Sequence, residues 1–190
     1  MDRPSYWKEG VAALVAVVML WIAFVGGNRI PLLGSFDLGI HELGHLITSP
    51  FGEVASFFMG SGLQVLVPFG LAGYFWFWQH DRLSSGLLMV WGATSMQDVG
   101  VYIADAPYQS LQLIGGTHDW WYLLSHFGKI AWANEISRGV WLIGLAMGVV
   151  GLGLIVALPA MNVWSRLGDG SDIRVRNPGP TRIRERRQPQ

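Results

Sequence analysis

An all-α fold, a polytopic transmembrane helical bundle of about five spans, is what the sequence predicts, and two observations predict it. Over 190 residues the chain is 51% hydrophobic and only 14% charged, with a mean hydropathy of +0.35, too apolar for an ordinary soluble domain of this size. Five apolar stretches also approach the roughly 20 helical residues that a hydrocarbon core about 30 Å thick requires. There is no cysteine, so neither a disulfide framework nor a thiolate metal site is available.

The first stretch, residues 10–27, follows a segment whose Asp2, Arg3, Lys8 and Glu9 cancel. It ends in Gly-Gly-Asn-Arg without a small-x-small cleavage site, so it reads as a retained span and not as a signal peptide. The second, residues 36–49, is short and carries polar residues, which suits a helix surrounded by protein and not by lipid. After a turn at Pro50-Phe51-Gly52-Glu53 come residues 54–78 and then 85–105. A long connection, residues 106–138, holds Gly115-Gly116 and then His118-Asp119-Trp120-Trp121-Tyr122. There Asp119 is expected to cap a short amphipathic helix at the membrane interface, with Trp and Tyr as belt residues. The fifth stretch covers residues 139–164.

Residues 1–165 are therefore expected to form one transmembrane helical domain, and residues 166–190 a basic, flexible tail with seven Arg against Asp169, Asp172 and Glu185. The arginines place that tail in the cytoplasm of a bacterial inner membrane. Counting back through five spans puts the N-terminus outside and Arg29 and Arg82 inside. The lipid bilayer is then the first partner, with a membrane-protein substrate or neighbouring membrane subunits as the second; nucleic acid is not expected.

His41-Glu42-Leu43-Gly44-His45 sets two histidines and a glutamate at HExxH spacing inside the second stretch. Residues four apart share a helix face, so both imidazoles can aim at one Zn2+ while Glu42 reaches water at the same ion as general base. A catalytic zinc site needs a third protein ligand and an open position. The candidates are Asp98, Asp105, His118 and Asp119. Asp98 is favoured by depth, because a carboxylate inside a span needs compensation, and Asp105 lies two turns along the same face. His118 requires the connection to fold back over the site. Gln64 and Gln97 could orient a ligand, bind a substrate carbonyl or join helices.

On these residues the chain resembles the site-2-protease-like intramembrane zinc metalloproteases, the M50-like peptidases. HELGH lies on a membrane helix, one span intervenes, and an acidic residue closes the next. The resemblance implies a zinc-dependent peptidase with Asp105 as third ligand. In that register Gln97 stands at the family's Asn, Gly100 at its Pro and Ala106 at its Gly. From residue 38 to 127 the chain is also similar to bacterial multi-span HExxH membrane proteins that carry no assigned function. The expected function is hydrolysis of a peptide bond in or near the membrane. The alternative is a non-catalytic small subunit of a larger respiratory or photosynthetic membrane complex, its metal structural or absent.

Overall fold

Long apolar runs become helices in lipid, because each backbone N–H and C=O must then be paired within the segment itself. The computed structural model describes residues 6–114 and 116–169, with side chains as far as residue 157. Helix α1 spans Trp7–Leu20 and continues through a π-turn at Trp21–Val25; α2 spans Leu33–Thr48 and α3 Glu53–Phe77. Arg82–Asp105 forms α4, Asp119–His126 forms α5, and Ala133–Asp169 forms α6. Among the described residues there is no strand. Since α6 reaches Asp169, the expected tail begins as helix, and its remainder, 170–190, lies outside the described residues.

Among the described residues, three segments are long and apolar enough to cross a membrane: Trp7–Val25, Glu53–Phe77 and Ile130–Ala157. The other two expected spans are helices of a different character. With 16 residues, α2 is only about 24 Å long, short of the ~30 Å hydrocarbon core. Helix α4 has 24 residues, but twelve of them are buried, Thr94, Ser95 and Gln97 included. It is the axis around which the apolar helices pack, whereas α1 and α6 leave Val11, Leu14, Leu142 and Val149 exposed.

Side-chain contacts give each helix its direction. The α4–α6 contact is tight and antiparallel: Gly86 lies against Gly151 and Ile155, and Gly144 against Ala93 and Met96. Helix α1 runs with α4, since Ala12 and Ala16 cluster with Val90 and Ile155 while Phe24 meets Trp141 edge to face. Helix α3 runs against α4, with Ser85 Oγ donating to the Ala72 carbonyl at 3.0 Å and Gln64 Nε2 to Asp98 at 3.1 Å.

Helix α2 runs the same way as α1. Near its start, Asp37 accepts from Trp91 Nε1 at 2.7 Å and Ser95 Oγ at 3.2 Å; near its end, His45 meets the first turn of α3. Two consecutive helices can point the same way only if the chain between them doubles back. Residues 26–32 do so, with Gly27 and Leu32 both at φ 64° in the left-handed region. Within that return segment Arg29 donates to Asp98 at 2.7 Å, seven residues or about 10 Å inside the end of α4. The expectation that Arg29 and Arg82 share one end of the bundle is therefore corrected: Arg82 begins α4, and Arg29 binds its later half.

The turn between α3 and α4 is closed by Asp81, which accepts from the backbone N–H groups of Leu83 and Ser84 at 3.0 and 3.1 Å. Its bonds to Ser84 and Leu83 hold the carboxyl below its ordinary value of 3.8. A carboxyl whose folded pKa is depressed contributes stability above the unfolded value and loses it as pH falls through the folded one. Asp81→Ala should cost about 1 kcal/mol in unfolding titrations of the purified protein, with Asp81→Asn costing less. The advantage of wild type over Asp81→Asn should fade as pH drops below about 4. An Asp81→Ala protein as stable as wild type would remove the cap from the account.

Candidate metal centre

Helices α2 and α3 approach closely where both are glycine. A Cβ on Gly44 would strike the Met59 carbonyl, and one on Gly60 would lie 2.6 Å from His45 Nε2 and 2.8 Å from His41 Nε2. The Gly60 position thus shows where the histidines point. Both imidazoles turn their Nε2 atoms into the same small space, which exists because residue 60 has no side chain.

Each ring is fixed from behind. His45 Nδ1 donates to the Ser56 carbonyl at 3.0 Å, and His41 Nδ1 faces Gln64 Oε1 at 3.3 Å. Carbonyl oxygens only accept, so each Nδ1 carries the proton and each Nε2 is left to its front partner. That partner is the Asp119 carboxylate, whose Oδ2 stands 2.8 Å from His41 Nε2 and 3.2 Å from His45 Nε2. Burial raises the Asp119 carboxyl, but the bonds from His41 and His45 outweigh it and hold the group below its ordinary value.

Two neutral imidazole nitrogens would repel a carboxylate oxygen unless something positive lay between them. Protons can serve, and so can a metal ion: ligands about 2.0–2.2 Å from a tetrahedral zinc stand ~3.3–3.5 Å from one another. The observed 3.2 Å from His45 lies close to that geometry, and the 2.8 Å from His41 would have to widen by about half an ångström. His41, Glu42 and His45 also offer ligand atoms that all lie within 4.8 Å of one another. Glu42 could therefore share an ion with the histidines, and as the exposed member of the group it lines the cleft. The donor set of two imidazoles and a carboxylate, with a second carboxylate alongside, suits Zn2+.

Asp119 is carried in by α5. Trp120 Nε1 donates to Ser61 Oγ at 3.0 Å, the Tyr122 hydroxyl to Glu53 at 2.7 Å, and the Tyr122 ring packs on Phe57 with centroids 4.4 Å apart. Leu123 and Leu124 are buried below. Two expectations are corrected here. Trp120 and Tyr122 tether α5 to α3 instead of serving as belt residues, while Trp121 stays exposed. The cap of α5 is His118, not Asp119: His118 Nδ1 accepts the Trp121 N–H at 3.2 Å, which frees the carboxylate to turn inward.

The other expected ligands lie elsewhere. Asp98 binds Arg29 and Gln64 and joins the histidines only through Gln64. Asp105 accepts from the backbone of Ser110 and Leu111 and stands 3.4 Å from His118 Nε2. His118 is fully buried, stacked on Tyr102 at 4.2 Å, and burial keeps its imidazole below the ordinary value, in the neutral form its capping role requires. Tyr102 was not singled out from the sequence; its hydroxyl accepts the Asp119 N–H at 3.1 Å. A cleft of about 640 Å³ opens onto this cluster, lined by Arg29, Glu42, Gln97, Tyr102 and the apolar Leu111 and Leu113 of the connection. Compared with known proteins, the chain matches no family model, no curated protein and no solved structure.

Gly60→Ala should abolish tight zinc binding, lowering affinity at least ~100-fold, because the new methyl must displace both Nε2 atoms. Gly62→Ala is the control, since its Cβ would meet the flexible end of Met59 at 3.1 Å and the Phe58 ring at an ordinary contact distance of 3.7 Å. Zinc titration of the purified variants measures the difference; equal affinities for wild type and Gly60→Ala would place the metal elsewhere.

Proposed function

We propose that the protein is a membrane-embedded hydrolase of the HExxH type, dependent on zinc held by His41, His45 and Asp119 and acting on a peptide bond in or near the membrane. The observation that carries the reading is the meeting of both Nε2 atoms on one Asp119 oxygen beside the exposed Glu42. Zinc, when bound, supplies Lewis acidity and makes water nucleophilic near neutral pH. Glu42 takes a proton at its carboxylate and returns it to the leaving amine. The Tyr102 hydroxyl accepts from the Asp119 N–H and so has its own proton left to offer a substrate carbonyl in the cleft. A cleft of this size fits a short unwound stretch of chain. The likeness to M50-like peptidases then rests on the helix-borne HExxH, with the third carboxylate drawn from the connection and not from the end of α4.

Helix directions also support an orientation in a bacterial cytoplasmic membrane. The start of α1, the start of α4 and the far end of α6 share one end of the bundle. Lys8 and Arg82 lie at that end, and the sequence that continues from α6 carries further arginines, against Arg29, Lys129 and Arg138 toward the other. The start of α1 and the far end of α6 are thus cytoplasmic and the metal centre opens near the outer face.

Glu42→Gln should retain zinc and lose ~10²–10⁴-fold in cleavage of a co-expressed membrane protein, whereas Asp119→Ala should lose zinc itself. Cleavage undiminished in Glu42→Gln, or absent from wild type across a panel of membrane substrates, would defeat the peptidase reading. For orientation, reporters fused at each terminus should both read as cytoplasmic; an external N-terminus would restore an odd number of crossings.

A further inference from the structure

Four side chains from four parts of the chain make one line of hydrogen bonds that ends at His41. Arg29, on the return segment, donates to Asp98 Oδ2 on α4 at 2.7 Å. The same oxygen accepts from Gln64 Nε2, on α3, at 3.1 Å. At its other end the Gln64 amide presents Oε1 to His41 Nδ1 at 3.3 Å.

Chemistry gives this line a direction. A carboxylate can only accept, so Asp98 holds the amino end of the Gln64 amide toward itself. The carbonyl end must then face His41, and a carbonyl obliges the ring to donate from Nδ1. The Nε2 lone pair is left pointing at Asp119 and the metal position. Were the amide reversed, its NH₂ would meet Nδ1, the ring proton would sit on Nε2, and the ligand would be blocked. Arg29 offsets the cost of a carboxylate at this depth, with its own side chain 53% exposed and that of Asp98 15%. His45 needs no such device, because its Nδ1 is set by the Ser56 main chain, which cannot turn over.

We propose that Arg29, Asp98 and Gln64 are positioning residues that fix the tautomer of His41, with Asp98 acting on the metal centre through the Gln64 amide. The inference rests on the metal-centre reading. It predicts that the oxygen of residue 98 matters more than its charge, since an asparagine oxygen can accept from both Arg29 and Gln64.

Two measurements on the full chain in nanodiscs test it. Titration with zinc alone should show Gln64→Leu and Asp98→Leu binding ~10–100-fold more weakly than wild type, with Asp98→Asn restoring most of the affinity. Separately, ¹⁵N NMR of ring-labelled histidine reports the tautomer without any metal. It is read at alkaline pH in an Asp119→Ala background, where no carboxylate competes for Nε2. His41 should be Nδ1-protonated there, should shift toward the Nε2-protonated form in Gln64→Leu and Asp98→Leu, and should return in Asp98→Asn. An unchanged tautomer in Gln64→Leu would overturn the proposal even if zinc binds. Conversely, absent zinc binding with the expected tautomer shifts would defeat the metal reading and leave the positioning line intact.

Discussion

Two imidazole nitrogens and one carboxylate oxygen share a space that residue 60 leaves empty, and most of the polar architecture serves to bring them there. The meeting needs α2 and α3 to touch at Gly44 and Gly60, so that the histidines can lean across the groove. It needs the backbone of Ser56 and the amide of Gln64 behind the rings, so that their lone pairs point forward. And it needs α5 to be pinned to α3 by Trp120 and Tyr122, so that Asp119 faces inward. Remove any one and buried polar atoms lose their partners, which is costly in an apolar helical bundle.

The same pressure accounts for the polar residues along α4. A carboxylate away from water must be neutralised or well bonded, and the bundle applies a different remedy at each site. Asp37 is met by the Trp91 indole and the Ser95 hydroxyl, Asp98 by Arg29 and Gln64, and Asp105 by the main chain that leaves α4. None of the three needs a metal to explain its place. Asp119 is met by two imidazoles already committed to donate at their other nitrogens, so a proton or a metal ion must lie between them. That contrast sets Asp119, the proposed ligand, apart from the carboxylates whose compensation is complete.

Hydropathy made the helices legible, because an apolar run in lipid has few alternatives to helix; HExxH made the histidine pair legible, because spacing of four residues is local. What could not be read from the sequence was whatever depends on contacts across the bundle. Depth favours Asp98 and Asp105 as third ligands, and a carboxylate at the depth of Asp98 does need partners, which it finds in Arg29 and Gln64. Of these, Arg29 lies in a return segment that a linear reading counts as a cytoplasmic loop between two spans. Asp119 stands 78 residues from His41, and no periodicity connects them. One local signal did exist and was outcompeted: a carboxylate beside a histidine at the start of a short helix leaves only one of the two to cap it, and His118 does so.

Placing the third ligand on the connection and not on α4 changes what the metal would do. Helix α2, packed on α3, carries the histidines, but the described residues between α4 and Asp119 form no helix or strand and line the cleft with Leu111, Leu113 and Thr117. A bond from Asp119 to an ion on the histidines would therefore fix one end of the cleft wall to the floor of the site. With such an ion bound, completing the coordination shell and ordering the cleft wall would be one event, and each would stabilise the other by the free energy of the shared contacts. A ligand at the end of α4 would have given no such linkage, because α4 is already the most deeply packed helix in the bundle.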